Sequence, residues 1–395
     1  MILSVIIVNY RVRYFLELCL HAVARAIQGY DAEILVVDNH SADGSVAYLQ
    51  PLFPRVKFIV NTDNLGFARA NNQALAQAGG EYILFLNPDT ILPEDFFPRC
   101  LSFLRSTDGI GGLGVRMIDG SGRFLKESRR GFPTPWVAFC RLSGLTALFP
   151  RSRFFSEYYL GYLPETSSHP SPVLSGACLL VSRAVLDEVG SFDDSFFMYA
   201  EDIDLSYRLE KAGYRNYYFS GTTIVHFKGE STQKDIRYTR QFYKAMSQFR
   251  RKHFDAGLPR LFGGSLEVAI WLRAGFGAIG RVFRRGAAPA SPRRVWLTGD
   301  PAGVRQLQAR LDSPAASGER AQTGSPGERA QASGPQQAEE IVICQGDGFS
   351  FKEGIEMLEG SAFYQRGQYA KFHAAGSGSA AGSAHRDGRG EVWLL

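Results

Sequence analysis

Short apolar runs recur through the amino-terminal part of the chain, each closed by a polar or glycine-containing stretch. Tyr82–Leu86 has the length and composition of a strand buried on both faces, Ser4–Asn9 (SVIIVN) reads as a first buried strand, and Glu33–Asp38 (EILVVD) and Val56–Val60 as further strands. Between them apolar residues fall at helical spacing. Phe15, Leu16, Leu18, Cys19, Leu20 and Val23 form one amphipathic stripe, and Gly66–Gln77 reads as another helix. A third helix follows the turn Ser41–Ser45, with Ser41 or Asp43 as its cap. This β-α-β-α-β-α-β rhythm predicts an α/β fold, a mostly parallel sheet flanked by helices.

Beyond it the pattern loosens. Gly111–Ile118 reads as a strand with a turn at Asp119–Gly122, and Ser128–Pro135 as an ordered loop. Ser175–Ser182 (SGACLLVS) reads as a strand returning to the core. A helix is expected from Glu201 to Ala212, with Gly213 ending it. Asn216–Ser220 and Thr222–Val225 are expected as two last strands, the second leading into His226. A main domain therefore spans 1–257. In 258–285, Arg260, Glu267, Arg273, Arg281, Arg284 and Arg285 lie opposite Leu261, Val268, Trp271, Leu272, Phe276, Ile279, Val282 and Phe283, although Ile270 breaks the pattern. Such a helix suits an anionic membrane surface; the alternative is a helix packed on its own protein. Residues 286–395 read as a small, incomplete α/β unit, interrupted by a Ser/Pro/Gly/Ala-rich loop, about 313–338, that is expected to be disordered.

Composition narrows the function. With 395 residues the chain can bury a large core, and a formal charge of +5 is too mild to imply a nucleic-acid partner. Five scattered cysteines fit reduced thiols in a cytosolic protein. The first apolar run lacks a basic leader, and no window reaches the ~18 apolar residues of a spanning helix. The expectation is a cytoplasmic protein, soluble or peripheral at the inner face of the membrane. In that compartment the glycosylation-like Asn39-His40-Ser41 carries no meaning. A G-x-G-x-x-G at Gly109, Gly111 and Gly114 lacks the strand before it and the helix after it that a dinucleotide site needs.

The candidate chemistry lies in acids placed at strand and helix ends. Tyr82–Leu86 runs into Asn87-Pro88-Asp89-Thr90, and Pro88 stops the strand and aims Asp89 out of the sheet. Carboxyl ends of strands are where open α/β sheets bind ligands. Asp38 ends a second strand, Glu201-Asp202 opens a helix, and His226 follows the last strand. Mg²⁺ or Mn²⁺ takes carboxylate and phosphate oxygens, and Mn²⁺ also accepts imidazole. Taken singly, each Asp reads equally as a turn former, and Glu201-Asp202 as favourable charges in a helix's first turn.

SVIIVNY, ILVVDNHSADGS, NTDNLGFARANNQAL, YILFLNPDT, SGACLLVSR, FFMYAEDIDLSYRLEKAGYR and VHFKG, in this order and spacing, resemble the family 2 glycosyltransferases with the GT-A fold. The likeness is greatest to the bacterial rhamnosyltransferase-like branch and covers about Leu3–Gly229. It implies an inverting, metal-dependent transferase that uses a nucleotide sugar such as dTDP-L-rhamnose and a glycan or lipid-linked acceptor. By the resemblance, Val8, Asn9, Tyr10 and Asp38 hold the base and ribose, while Gly66 and Arg69 approach the diphosphate. Asn87-Pro88-Asp89 matches the family's Asp-x-Asp element with Asn in first place. Asp89 is then the carboxylate ligand of Mg²⁺ or Mn²⁺, and His226 completes the metal site. Asp202 is the general base, with Glu201 its partner in the acidic pair. Cys178 is a small core residue. Two other classes remain. A sugar nucleotidyltransferase places a glycine-rich loop after its first strand, where this chain has Asn9-Tyr10-Arg11-Val12-Arg13. A catalytically inactive glycan-binding or assembly protein has no need of the acids.

Overall fold

Successive side chains of a strand point to opposite faces, and in the computed structural model of this chain both faces of the strands Leu3–Asn9, Ala32–Asp38 and Tyr82–Leu86 are covered, while Val56–Val60 at the sheet edge is partly exposed. The structure describes residues 1–228, 236–254, 294–311, 320–323, 340–361, 363, 368–383 and 391–394. In chain order come β1 (Leu3–Asn9), α1 (Arg13–Ala26), β2 (Ala32–Asp38), α2 (Ser45–Leu52), β3 (Val56–Val60), α3 (Phe67–Leu75) and β4 (Tyr82–Leu86). Leu3, Val5 and Ile7 pack against Leu16, Leu20 and Val23 of α1. Ile6 and Val8 pack on the opposite face against Ala68, Ala70 and Ala74 of α3. The alanines let α3 lie close to the sheet. Truncating a central side chain such as Leu84 or Phe85 to alanine removes roughly 2–5 kcal/mol of stability.

There follow β5 (Thr90–Ile91), α4 (Phe96–Ser106), β6 (Ile110–Ile118), β7 (Arg129–Arg130), α5 (Pro135–Leu142), α6 (Leu145–Leu148), β8 (His169–Pro170), β9 (Val173–Leu174), β10 (Cys178–Ser182), α7 (Arg183–Val189), α8 (Glu201–Lys211), β11 (Arg215–His226) and α9 (Ile236–Phe254). The main sheet runs β3-β2-β1-β4-β10-β6-β11-β5. β3, β2, β1 and β4 are mutually parallel, and β10 is antiparallel to β4. β11 is one strand where two were expected. Its register against β6 shifts between Phe219 and Thr223, where a Cβ on Gly221 would run into the Phe219 ring.

One further local expectation is corrected. Gly44, in the left-handed conformation, takes the N-cap position of α2 without a side chain of its own, and Asp43 just before it accepts the Ser45 N–H at 3.0 Å. Ser41 is turned instead toward Asn9 and the Arg11 N–H. All five cysteines are buried and unpaired, and burial pushes the Cys19 thiol up to about 12.

The carboxy-terminal unit is a second sheet, ordered β13-β12-β14-β15-β16-β17. Its strands are β12 (Arg294–Gly299), β13 (Arg320–Thr323), β14 (Glu340–Gln345), β15 (Tyr369–Ala374), β16 (Ser379–Gly382) and β17 (Glu391–Leu394). β13 falls inside the segment expected to be a disordered loop: Arg320–Thr323 pairs in parallel with β12 and so satisfies its edge. The rest of 313–338, and all of 258–285, lie outside the described residues.

This unit is anchored on the elements of the main sheet by two carboxylates, one buried and one partly buried. Glu17 of α1, fully buried, accepts hydrogen bonds from the Ser379 hydroxyl (2.9 Å) and the Gly378 N–H (3.3 Å). Glu94 accepts from the N–H groups of Phe351 and Lys352, both at 2.9 Å, at the start of the helix Phe351–Gly360. A carboxylate there satisfies orphan donors and meets the positive end of the helix dipole. Phe227, the residue after His226, packs its ring on Phe15 and Phe372, with centroids 5.4 and 6.3 Å away. The second sheet thus buttresses the end of β11.

Candidate active site

The carboxyl ends of β1, β2 and β4, the end of β11 and the start of α8 converge on one edge of the main sheet. Asn9 and Asp38 are opposed in the β1–β2 register, and Asn9 Nδ2 donates to Asp38 Oδ1 at 2.8 Å. The Ser41 N–H donates to Asp38 Oδ2 at 3.2 Å. Asp38 is thereby held in one orientation. Val8 is nearly buried beside it, and Tyr10 is half-buried at the rim.

Asn39, which the glycosylation-like triplet had marked as meaningless, is buried and central. Its amide donates to Asn64 Oδ1 (2.9 Å) and Gly66 O (3.1 Å), and its oxygen accepts from Asn61 Nδ2 (3.2 Å) and the Leu65 N–H (3.0 Å). One side chain therefore ties the loop 61–66 to the end of β2.

Gly66 has a structural reason to be glycine. Its φ is +85°, and a Cβ there would lie 2.3 Å from the Phe197 carbonyl oxygen. That carbonyl accepts the Phe67 N–H at 2.7 Å. The glycine lets the two loops meet, a need separate from the diphosphate contact expected of it. Gly66→Ala is expected to cost about 1–3 kcal/mol, read as a lower urea midpoint; an unchanged midpoint would contradict the clasp. Arg69 lies exposed on α3.

At the end of β4, the three residues expected at the metal and diphosphate come together. His226 Nε2 lies 3.4 Å from Asp89 Oδ1 and 3.4 Å from Asn87 Nδ2. The backbone fixes the meeting: His226 pairs with Thr90 across β5 and β11, and the Phe227 N–H donates to Asp89 O at 3.0 Å. Asp89 is almost fully buried. The carboxylate oxygen fits Mg²⁺ or Mn²⁺, and the carboxylate with the imidazole nitrogen fits Mn²⁺. Among the described residues, no group of three or more His, Cys, Asp and Glu forms a metal cage. A metal held by Asp89 and His226 would therefore take its remaining donors from substrate or water.

The acidic pair sits across the turn before β10. Gly176 N–H donates to Asp202 Oδ2 at 3.1 Å, and the next residue, Ala177, accepts the Asn87 N–H at 2.9 Å. One dipeptide, Gly176-Ala177, thus joins both halves of the site. Arg130, on the stretch read only as an ordered loop, donates from Nη2 to Asp202 Oδ2 at 2.5 Å and to Leu174 O at 3.2 Å. Seventy-two residues separate Arg130 from Asp202. No local pattern in the sequence could have paired them.

Glu201 has the opposite environment. Burial first, and the neighbouring Asp202 carboxylate second, push its carboxyl up to about 8. It is thus protonated at neutral pH, while Asp202 faces a guanidinium. Because the folded state holds the Glu201 proton from the ordinary 4.5 up to about 8, its contribution to stability is full below that window and falls as pH rises through it. Glu201→Gln is expected to flatten this slope, shrinking the difference in melting temperature between pH 5 and pH 8. Equal slopes in both proteins would contradict it.

Behind the pair, Asp204 is fully buried and clamps α9 onto α8. Burial alone would raise its carboxyl, but hydrogen bonds from Lys252 (2.7 Å), His253 (2.7 Å) and Arg208 (2.8 Å) hold it below the usual range. Backbone strain gathers at the same edge. Of the seven non-glycine residues with positive φ among those described, Arg11, His40, Ala42, Tyr199, Ala200 and Lys228 all flank the site. Such strain persists where the surroundings over-determine a functional geometry. Tyr199 and Ala200, at φ +70° and +67°, set the entry of α8 and so the aim of Glu201 and Asp202.

The family model for glycosyl transferase family 2 matches residues 4–190, which includes the β4 end but stops before Glu201. The N-acetylglucosaminyl-diphospho-decaprenol L-rhamnosyltransferase of Mycobacterium tuberculosis is 30% identical over 245 residues, covering 59% of this chain and 78% of that protein. This chain belongs to glycosyltransferase family 2. It is a transferase, and its mixed α/β architecture with a mostly parallel central sheet is that of the family's GT-A fold. Rhamnosyltransferase WbbL of Escherichia coli is 29% identical over 176 residues, covering 41% of this chain and 61% of WbbL. A solved mannosyltransferase from Pyrobaculum calidifontis aligns with 80% of this chain at 18% identity and a TM-score of 0.42, too loose a likeness to add to the assignment.

Proposed function

We propose that this glycosyltransferase is inverting and metal-dependent, and that it adds a deoxysugar to a glycan or lipid-linked acceptor during cell-surface polysaccharide synthesis. The observation that carries the reading is the Gly176-Ala177 dipeptide, which binds Asp202 on one side and the Asn87 end of β4 on the other. A donor on the β4 side and an acceptor on the α8 side would share one reacting point. The rhamnosyltransferase names of two relatives favour L-rhamnose carried on dTDP, and the Mycobacterium tuberculosis relative's name favours a diphospho-polyprenol acceptor.

In this reading Asp38, fixed by Asn9 and Ser41, receives the ribose, and Val8 and Tyr10 border the base. Asp89 and His226 would hold Mg²⁺ or Mn²⁺, with Asn87, Gly66 of the loop 61–66 and Arg69 of α3 toward the diphosphate. The metal would supply Lewis-acid stabilisation of the charge that grows on the departing diphosphate. Asp202 takes the proton from the acceptor hydroxyl as that oxygen attacks the anomeric carbon from the face opposite the leaving group. The bond to the diphosphate oxygen breaks as the new glycosidic bond forms, and the configuration inverts. Arg130 holds the base in place, and protonated Glu201 avoids a second negative charge beside it. No helix among the described residues is long and apolar enough to cross a membrane. We place the enzyme at the inner face of the cytoplasmic membrane, as a peripheral protein.

A panel of nucleotide sugars with Mn²⁺, read by thermal stabilisation and by nucleoside diphosphate release, tests the donor assignment. dTDP-L-rhamnose is expected to give the largest response. A response confined to another donor would overturn the choice of sugar, and no response to any donor would overturn the active-enzyme reading.

A further inference from the structure

Half of the ten exposed large hydrophobic side chains among the described residues lie in one excursion between β7 and β8: Trp136 (39% exposed), Phe139 (51%), Leu148 (70%), Phe149 (45%) and Phe154 (62%). The excursion leaves and returns at one point, where the Gly131 N–H donates to Tyr158 O at 3.0 Å. That point adjoins Arg130, the partner of Asp202.

The rings are built into a surface. Thr134 caps α5, accepting the Val137 N–H at 3.3 Å. Trp136 Nε1 donates to Phe154 O at 3.1 Å, with their ring centroids 4.8 Å apart. Phe154 packs on Phe155 at 5.1 Å, and Phe155 on Phe149 at 5.2 Å. From Phe132 to Ser156 the chain carries Arg141, Arg151 and Arg153 and no acidic residue. Arg151 and Arg153 are exposed. An ordinary soluble surface mixes both signs of charge with scattered apolar residues. Clustered Trp and Phe with cations alone is instead the composition of protein that sits at a lipid headgroup boundary.

We propose that the aromatic face of residues 132–156 seats on the surface of an anionic phospholipid bilayer, bringing the acceptor side of the site to the membrane. The inference deepens the proposed lipid-linked acceptor, whose diphosphate and sugar would emerge from the bilayer beside Arg130 and Asp202. The rings enter the headgroup boundary, and Arg151 and Arg153 meet lipid phosphates. It assigns the membrane contact to a segment other than 258–285.

Vesicle binding by the full chain, without donor or acceptor, tests this apart from sugar transfer. Wild-type protein is expected to co-sediment with vesicles of equal phosphatidylglycerol and phosphatidylcholine, less so with phosphatidylcholine alone, and to be released as salt rises. The triple variant W136S/F139S/F154S is expected to lose about tenfold or more in binding, with its melting temperature as the control for folding. R151Q/R153Q, altering exposed charges only, is expected to lose the preference for anionic lipid. Wild-type binding by both variants would overturn the proposal. So would complete loss of binding on deleting 258–285 while both patch variants lose nothing. A wild-type dimer that the triple variant dissociates, with no vesicle binding, would assign the face to a second copy and equally overturn it.

Discussion

Asp202→Asn is expected to lower turnover by about 10²–10⁴-fold, the usual worth of a positioned general base, while donor affinity stays close to wild type. The amide keeps the size of the side chain but cannot accept the acceptor's proton. It also leaves the Arg130 guanidinium, bonded to Asp202 at 2.5 Å, without its counter-charge. Losing one partner of a buried ion pair costs roughly 3–5 kcal/mol, so the variant's melting temperature must be measured beside its activity. Arg130→Gln separates the two effects. It disturbs the same ion pair but keeps the carboxylate, so its loss of turnover is expected to be smaller than that of Asp202→Asn. If Asp202→Asn, folded, turns over at the wild-type rate, the base is another group.

Asp89→Ala is expected to be the second large effect, about 10²–10³-fold in turnover, and no concentration of Mn²⁺ should restore it. Asp89 lies nearly buried, with His226 Nε2 3.4 Å from its Oδ1. Removing its carboxylate leaves the imidazole as the sole strong ligand among the residues proposed for the metal. His226→Ala keeps the carboxylate, and its loss is expected to be partly recovered at high Mn²⁺. Steady-state rates across a Mn²⁺ series distinguish the two variants. Recovery of Asp89→Ala to the wild-type rate would show that Asp89 does not hold the metal.

The core of the fold was legible because its signal is local. Val5, Ile6, Ile7 and Val8 must be apolar at every position when α1 covers one face of β1 and α3 the other. Asp89 was legible as the polar residue that follows such a run, and its meeting with His226 came from the order of motifs. What escaped depends on distant parts of the chain. Arg130 gains its meaning from Asp202, and Asn39 from a loop more than twenty residues onward. Tyr199 and Ala200 carry no mark of the left-handed backbone they adopt, since that conformation is imposed by the packing around α8. Glu17 and Glu94 look like solvent-facing acids until the second sheet arrives to use them. Where β11 shifts register, the pattern showed a break but not that pairing with β6 resumes beyond it.

At the centre stands a division of labour, with the end of β4 binding the donor through a metal and α8 supplying the base. Calorimetric titration of dTDP with and without Mn²⁺ into wild type, Asp89→Ala and Asp202→Asn tests that division most directly. The predicted result is Mn²⁺-dependent binding by wild type and Asp202→Asn, absent in Asp89→Ala. Binding that ignores the metal, or survives in Asp89→Ala while vanishing in a folded Asp202→Asn, would contradict it.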